Sequence, residues 1–465
     1  KITTGVNNTL IGGLAGDALV IGKENVAVGL GALGAGVADS RTTAIGYAAL
    51  GSQVNTGGSV VNAVNVAVGY NAGGAVTVGV ENVLMGSTAG DALTDADFNV
   101  AVGTAALTQD TLGSRNVAIG QEALSNQNFT TATDVYNVAV GFTAGKLITT
   151  GVENTLIGGL VGDALTEGGL NVAVGTESLG RDTKGSRSVA IGIGALNAQN
   201  FTTATNTNNT AVGYHAGNDV TTGTGNTLIG ASAGLGLTGN ANNTAVGLLA
   251  LSASSAGASC TAVGMQALSA ATGNENTALG VNAGNVIVGG ANNIIIGVNA
   301  DPSGSNNSNQ IVIGREVTGT GNNNFTFGGG TSDSNIAFGA TSISAPSDQR
   351  YKEEIADATA GLAFIKDLRP VTFKWKKEKD LPTSHRAYVE GSETRTMNDS
   401  TNHGFVAQEV KTAIDAHSEI KDGFDMWCTD DQADGGRQRI ADGALVPMLV
   451  KAIQELEARI ATLEG

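Results

Sequence analysis

The residues best placed to do chemistry in this 465-residue sequence stand together at Ala345-Pro346-Ser347-Asp348-Gln349-Arg350-Tyr351-Lys352. A serine hydroxyl is a poor nucleophile until a base takes its proton. No suitable histidine stands beside Ser347, but Lys352, five residues on, can serve if burial makes a neutral amine available. Ser347 reaches the carbonyl of Pro346 through a five-membered ring, whereas attack on its own carbonyl needs a strained four-membered one. The favoured scissile bond is therefore Pro346–Ser347, although the junction can also be read one residue later, at Asp348. Two competing readings are Ser347 as a simple turn cap and His403 as the base.

The elements that must position Ser347 differ on its two sides. Before it the sequence repeats; after it nothing does. Gly accounts for 68 residues and aromatics for only 4%, and none of the 5 prolines precedes Pro302. So few large side chains exclude a wide globular core, while Ala, Val, Ile and Gly suit thin stacked layers. A net charge of -17 argues against nucleic acid and anionic membrane surfaces as partners. Cys260 and Cys428 lie far apart and read as two separate buried thiols. There is no apolar run of transmembrane length and no secretory signal. The sequence starts at Lys1, already inside the repeat, so a fragment or processed piece is expected, with any anchor or targeting segment lying outside it.

The repeat unit is Asn-[Val/Thr]-[Ala/Leu]-[Val/Ile]-Gly, with glycines from Gly12, Gly29 and Gly46 to Gly297 and Gly314, mostly 17 residues apart. Longer steps carry inserts such as Asn128-Phe129-Thr130-Thr131 and Asn200-Phe201-Thr202-Thr203. A higher period also shows, because Gly86, Gly158 and Gly230 are each 72 residues apart. In Asn25-Val26-Ala27-Val28-Gly29, alternation puts Val26 and Val28 on one face and Ala27 on the other. The β-branched pair favours a strand, and Gly29 permits the turn after it. Asparagines at one point of successive coils are placed for a hydrogen-bonded ladder. One coil cannot bury its apolar face alone, so stability must come from stacking. Nineteen coils about 4.8 Å apart would make a rod roughly 90 Å long. The alanine face is expected to pack against a neighbouring chain. Gly29-Leu30-Gly31-Ala32-Leu33-Gly34 fits a dinucleotide fingerprint only as one copy of the repeat, and the Gly-Gly-x-Gly-x-Asp spacing at residues 12–17 is not kept in series. Neither a cofactor nor a metal is expected.

Units such as Asn137-Val138-Ala139-Val140-Gly141 and Ser188-Val189-Ala190-Ile191-Gly192 resemble the repeats of trimeric autotransporter adhesin heads, and similar repeats occur in bacteriophage tail fibres. The resemblance implies a left-handed parallel β-roll in which three chains pack side by side. The 17-residue step is longer than the usual adhesin coil.

After about residue 300 the pattern loosens. Gln310-Ile311-Val312-Ile313-Gly314 and Asn335-Ile336-Ala337-Phe338-Gly339 read as degenerate strands, and Asn322-Asn323-Asn324-Phe325-Thr326-Phe327 brings the first clustered aromatics. Residues 301–346 are expected to form a cap or neck, or else a distal surface that touches a receptor. From residue 347 the composition becomes mixed α/β, with 16 of the 25 Lys and Arg and both tryptophans. A helix is expected over residues 356–368, ended by Pro370, then a strand at Val371-Thr372-Phe373-Lys374-Trp375 and a second helix from Phe405 through Ile414. The last segment carries a heptad seam at Val446, Leu449, Ile453, Leu456, Ile460 and Leu463, too short to fix an oligomeric state.

Four stretches resemble, in order, the chaperone domain of phage endosialidases and tail fibres, the peptidase S74 family. They are Ser347-Asp348-Gln349-Arg350-Tyr351-Lys352-Glu353-Glu354-Ile355, Leu368-Arg369-Pro370-Val371, Gly404-Phe405-Val406-Ala407-Gln408-Glu409-Val410 and the seam beginning Leu445-Val446-Pro447. The resemblance implies a trimeric chaperone that templates β-fibre folding and then releases itself through a Ser-Lys dyad, with Ser347 and Lys352 at the dyad spacing. Asp348 and Arg350 are expected to hold the strand and a neighbouring chain in place.

The reading is a mainly β chain: a β-solenoid shaft over residues 1–300, a cap over 301–346 and a small α/β chaperone domain over 347–465 that ends in a coiled-coil helix. The expected function is a homotrimeric virion tail fibre for host attachment, made in the host cytoplasm. Its expected partners are a cell-surface receptor, glycan or outer-membrane component, and other tail proteins; neither nucleic acid nor membrane insertion is expected. The only enzymatic activity expected is single-turnover self-cleavage. Two alternatives are a trimeric bacterial surface adhesin, which calls for a membrane β-barrel where this sequence has the heptad seam, and the fibre of a glycan depolymerase whose catalytic domain lies upstream.

Overall fold

The structure is a computed structural model that describes residues 2–55, 59–253, 257–330, 332–340, 342–344, 347–383, 385, 387–421, 424–429 and 438–464. It divides into two compact units, Lys1–Pro346 and Ser347–Gly465.

In the first unit each coil gives one short strand, from Thr9–Ile11 onward, to a single twenty-stranded sheet. Neighbours are parallel and keep the repeat in register: Thr9 stands opposite Val26, Val26 opposite Thr43 and Val66 opposite Val83. Parallel stacking continues through Ile294–Ile296, Gln310–Arg315 and Asn324–Gly329. The antiparallel strand Ser332–Ala337 then ends it. The unit is a β-solenoid of about nineteen turns.

The side chains explain the coil. The middle residue of each strand points inward, so Ala27, Ala44, Leu84, Ala101 and Leu156 are fully buried. Opposite them sits a residue of complementary size. Ala44 and Ala101 go with buried Leu50 and Leu107, whereas Leu84 and Leu156 go with Gly90 and Gly162. A Cβ on Gly90 would lie 2.8 Å from Leu84 Cδ2. A large residue facing a small one keeps the narrow interior filled. This overturns the expectation that the alanine face meets a neighbouring chain: the alanines line the coil's own core, and the β-branched residues face outward. The repeat glycines hold φ near +126° to +144°, and a Cβ on Gly12 would lie 2.6 Å from the Gly29 carbonyl oxygen. Only glycine tolerates both conditions.

The asparagine that recurs at one place in most coils forms a buried ladder, with Thr42, Ser188, Cys260 and Gln310 standing there in the others. Asn82 N–H donates to Asn65 Oδ1 at 2.8 Å, Asn99 N–H to Asn82 Oδ1 at 2.9 Å, and Asn82 Nδ2 to the Ala96 carbonyl at 2.8 Å. The inserts interrupt it, and each interruption is filled by a buried carboxylate that the sequence did not reveal. Asp110 accepts from Gln127 Nε2 at 2.6 Å and from the backbone N–H of Phe129 at 2.9 Å, while Gln127 Oε1 accepts from Asn137 at 2.8 Å. Asp182, Gln199 and Asn209 repeat this arrangement. At the first insert the carboxylate comes from Asp39, at the place Gly113 takes in the next block, and it again meets a glutamine, Gln53, at 2.8 Å.

Among the described residues the second unit has three α-helices, α1 (Leu362–Asp367), α2 (Ala407–Ala416) and α3 (Leu445–Glu464), and two antiparallel strand pairs. Val371–Phe373 pairs with Asn402–Gly404, and Trp427–Thr429 with Gln438–Ile440. Phe364, Val410, Ile414, Met426 and Leu445 form its core. α1 starts six residues later than expected, and Ile355 is exposed. The helix begins where Glu455 of α3 accepts a hydrogen bond from Leu362 N–H at 2.9 Å. Cys260 is buried, but Cys428, in the strand Trp427–Thr429, is exposed, so the expectation of two buried thiols fails for it.

Candidate functional site

Ser347 and Lys352 are brought together by one turn of 3-10 helix, Gln349–Tyr351. The turn forms because Asp348 caps it, its carboxylate accepting from Arg350 N–H at 2.9 Å, and because Lys352 N–H donates to the Gln349 carbonyl at 3.0 Å. The Arg350 guanidinium folds back on the same carboxylate, with Nε 2.9 Å from Asp348 Oδ2. The Arg350 hydrogen bond holds the Asp348 carboxyl below its ordinary value. Closing the turn sets Lys352 Nζ 2.7 Å from Ser347 Oγ. That distance permits direct proton transfer between base and nucleophile.

Three sequence readings can be placed against this geometry. The capping side chain is Asp348, not Ser347. The hydroxyl of Ser347 is met by Lys352, whereas His403 lies in a strand opposite Thr372. Asp348 and Arg350 hold each other and the turn within one chain. Pro346, the other side of the expected junction, lies outside the described residues. Ser347, Asp348, Arg350 and Lys352 are all exposed in the single chain.

Residues 347–418 match the family described as chaperone of endosialidase. The C-terminal unit carries that chaperone domain. No curated protein and no solved structure matches the chain. A long β-solenoid followed by this domain is the arrangement of a fibre- or tailspike-type protein with a C-terminal chaperone.

Two further features of the chaperone domain escaped the sequence reading. The first is the tie between α3 and α1. A Cβ on Gly361 would lie 2.6 Å from Glu455 Oε1, so glycine there leaves room for the carboxylate that caps α1. The partners are 93 residues apart, and no local pattern links them. The second is His417, at the end of α2, which meets Asp367 at 2.9 Å and Glu419 at 3.1 Å and packs edge-on against Phe364. The Asp367 contact first, and Glu419 after it, raise the His417 pKa against the opposing effect of burial. The heptad seam of α3 is as expected in position, and its side chains, including Ile453 and Ile460, are exposed.

Proposed function

We propose that this protein is a homotrimeric virion fibre for host attachment whose chaperone domain drives trimerisation and folding and then cuts itself off at Ser347. The contact between Lys352 Nζ and Ser347 Oγ carries the reading. In this scheme neutral Lys352 takes the hydroxyl proton, and Oγ attacks the Pro346 carbonyl. The C–N bond breaks as the ester to Oγ forms, and the proton passes to the departing amine of Ser347. Water then hydrolyses the ester and frees the two units.

A lysine serves as base only when neutral, which burial favours. In one chain the dyad is open to solvent, so covering it falls to neighbouring copies, and cleavage follows assembly. Two unpartnered surfaces support such copies. One is the α3 seam, where burying each Leu or Ile would contribute about 1.5–3 kcal/mol. The other is the outer face of the shaft, where Val or Thr and then Val or Ile recur in most coils. Exposed Phe338 and Ile343, near the end of the first unit, suit contact with a receptor of glycan or outer-membrane character.

Mass spectrometry of the expressed full chain, wild type and Ser347→Ala, tests the scheme. Two fragments meeting at Ser347 in the wild type alone are expected. An intact wild-type chain would remove the peptidase and leave the chaperone.

A further inference from the structure

The turn that brings Ser347 and Lys352 together also carries a carboxylate in an awkward place for a lysine base. Asp348 is the residue next to the nucleophile, and an ammonium beside a free carboxylate keeps its proton. A free Asp348 would draw Lys352 away from Ser347 and hold it as a cation. In the structure that carboxylate is occupied. Asp348 Oδ1 accepts from Arg350 N–H at 2.9 Å, and Oδ2 accepts from Arg350 Nε at 2.9 Å and from Nη2 as well. Two N–H groups of one guanidinium thus converge on one oxygen, a charge-assisted contact. Lys352 Nζ is left to Ser347 Oγ at 2.7 Å. Among the described residues no carboxylate from another element forms an ion pair with Lys352, and neither do Glu353 and Glu354, which follow it in sequence.

The pair does little for the fold. The Arg350 and Asp348 side chains are 83% and 40% exposed, and exposed pairs of this kind contribute little stability. The backbone of the turn needs only the contact at Oδ1, which an asparagine would also supply. What the guanidinium adds is a positive charge on the carboxylate that stands beside the nucleophile. We propose that Arg350 is a positioning residue of the dyad: by engaging the Asp348 carboxylate it leaves Lys352 free to turn to Ser347 and to give up its proton. The proposal rests on the self-cleavage proposed above.

Full chain from cell-free synthesis, moved to a series of buffers across the lysine range, tests this role. Assembly is checked by size-exclusion chromatography, and cleavage at Ser347 is timed by mass spectrometry. In Arg350→Gln the pH of half-maximal rate should rise by about one unit, the low end of what an adjacent opposite charge does, so that below it cleavage is about tenfold slower. Adding Asp348→Asn, which keeps the cap and removes the carboxylate, should bring the midpoint back. A merely structural role would slow cleavage at every pH, and the second change would not relieve it. If Arg350→Gln does not assemble, Asp348→Asn alone is measured. It leaves the guanidinium charge unopposed beside the lysine, so the midpoint should fall. A midpoint that stays at the wild-type value in the variant measured, or a double variant as slow as Arg350→Gln, would overturn the role of Arg350 while leaving the dyad intact. A wild-type chain that stays whole at every pH would overturn both.

Discussion

The two units solve the same problem, burying apolar surface around polar backbone, over very different distances in sequence. In the shaft nearly every stabilising contact joins residues about one coil apart: Asn82 to Asn65, Val26 to Thr43, Leu33 N–H to the Ala49 carbonyl. In the chaperone domain the decisive contacts are long, as between Leu362 and Glu455 or Asp367 and His417. A stack of identical coils can begin anywhere and at any offset, because each coil recognises only its neighbours. A domain closed by distant contacts has one way to fold. The difference teaches that the contacts of the shaft fix no single starting point, whereas those of the second unit specify one closed structure.

The most severe way to break that pairing is to remove residues 347–465. Residues 1–346 alone are expected to yield aggregates or monomers on size-exclusion chromatography, and a normal soluble trimer would refute the chaperone reading. Next comes a glycine in each region. Gly141→Ala drives a Cβ against the Gly158 carbonyl at a φ of 144° and should cost about 3 kcal/mol or more. Gly391→Ala, at a φ of 71° with nothing nearby, should cost about 1–2 kcal/mol. Thermal unfolding followed by circular dichroism compares them.

Carboxylates sharpen the contrast. Asp110→Ala strands the Gln127 amide and the Phe129 N–H in the interior, and should lower local stability by about 2–4 kcal/mol in hydrogen exchange. Glu409→Ala removes only an exposed pair with Arg369 and should leave stability nearly unchanged. The smallest effect concerns pH. Folding raises the His417 pKa, so its contribution is fully present below the ordinary histidine value of 6.5 and is lost as pH rises through the folded value. The chaperone domain should therefore lose stability as pH rises above about 6.5 in denaturant titrations, and His417→Gln should flatten that slope.

How much of this was legible in the sequence follows the same division. The period, the strand residues, the asparagine ladder and the obligatory glycines could be read because each coil repeats its own environment. What misled was polarity within the coil. Alternation separates Ala27 from Val26 and Val28 but does not say which face turns inward, and only the width of the closed coil decides. The buried carboxylates escaped because Asp39 and Asp110 occupy different places in the turn while filling the same gap. In the chaperone domain, the proximity of Ser347 and Lys352 follows from a five-residue spacing closed by the Asp348 cap. The α1 boundary was misplaced because it depends on Glu455, which no local window contains.

The buried Asp-Gln-Asn bridges also carry a genetic consequence. Each ties the coil before an insert to the coil after it, so a deletion or duplication that cuts between an aspartate and its glutamine disturbs the bridge, whereas one that spans a whole block of 72 residues keeps the pattern. Unequal recombination between neighbouring blocks makes such changes. Its products would differ in reach by about 19 Å for each block gained or lost. The length of this fibre is therefore a quantity that can be counted out in units, and variants made by exchange between like blocks should differ by whole blocks.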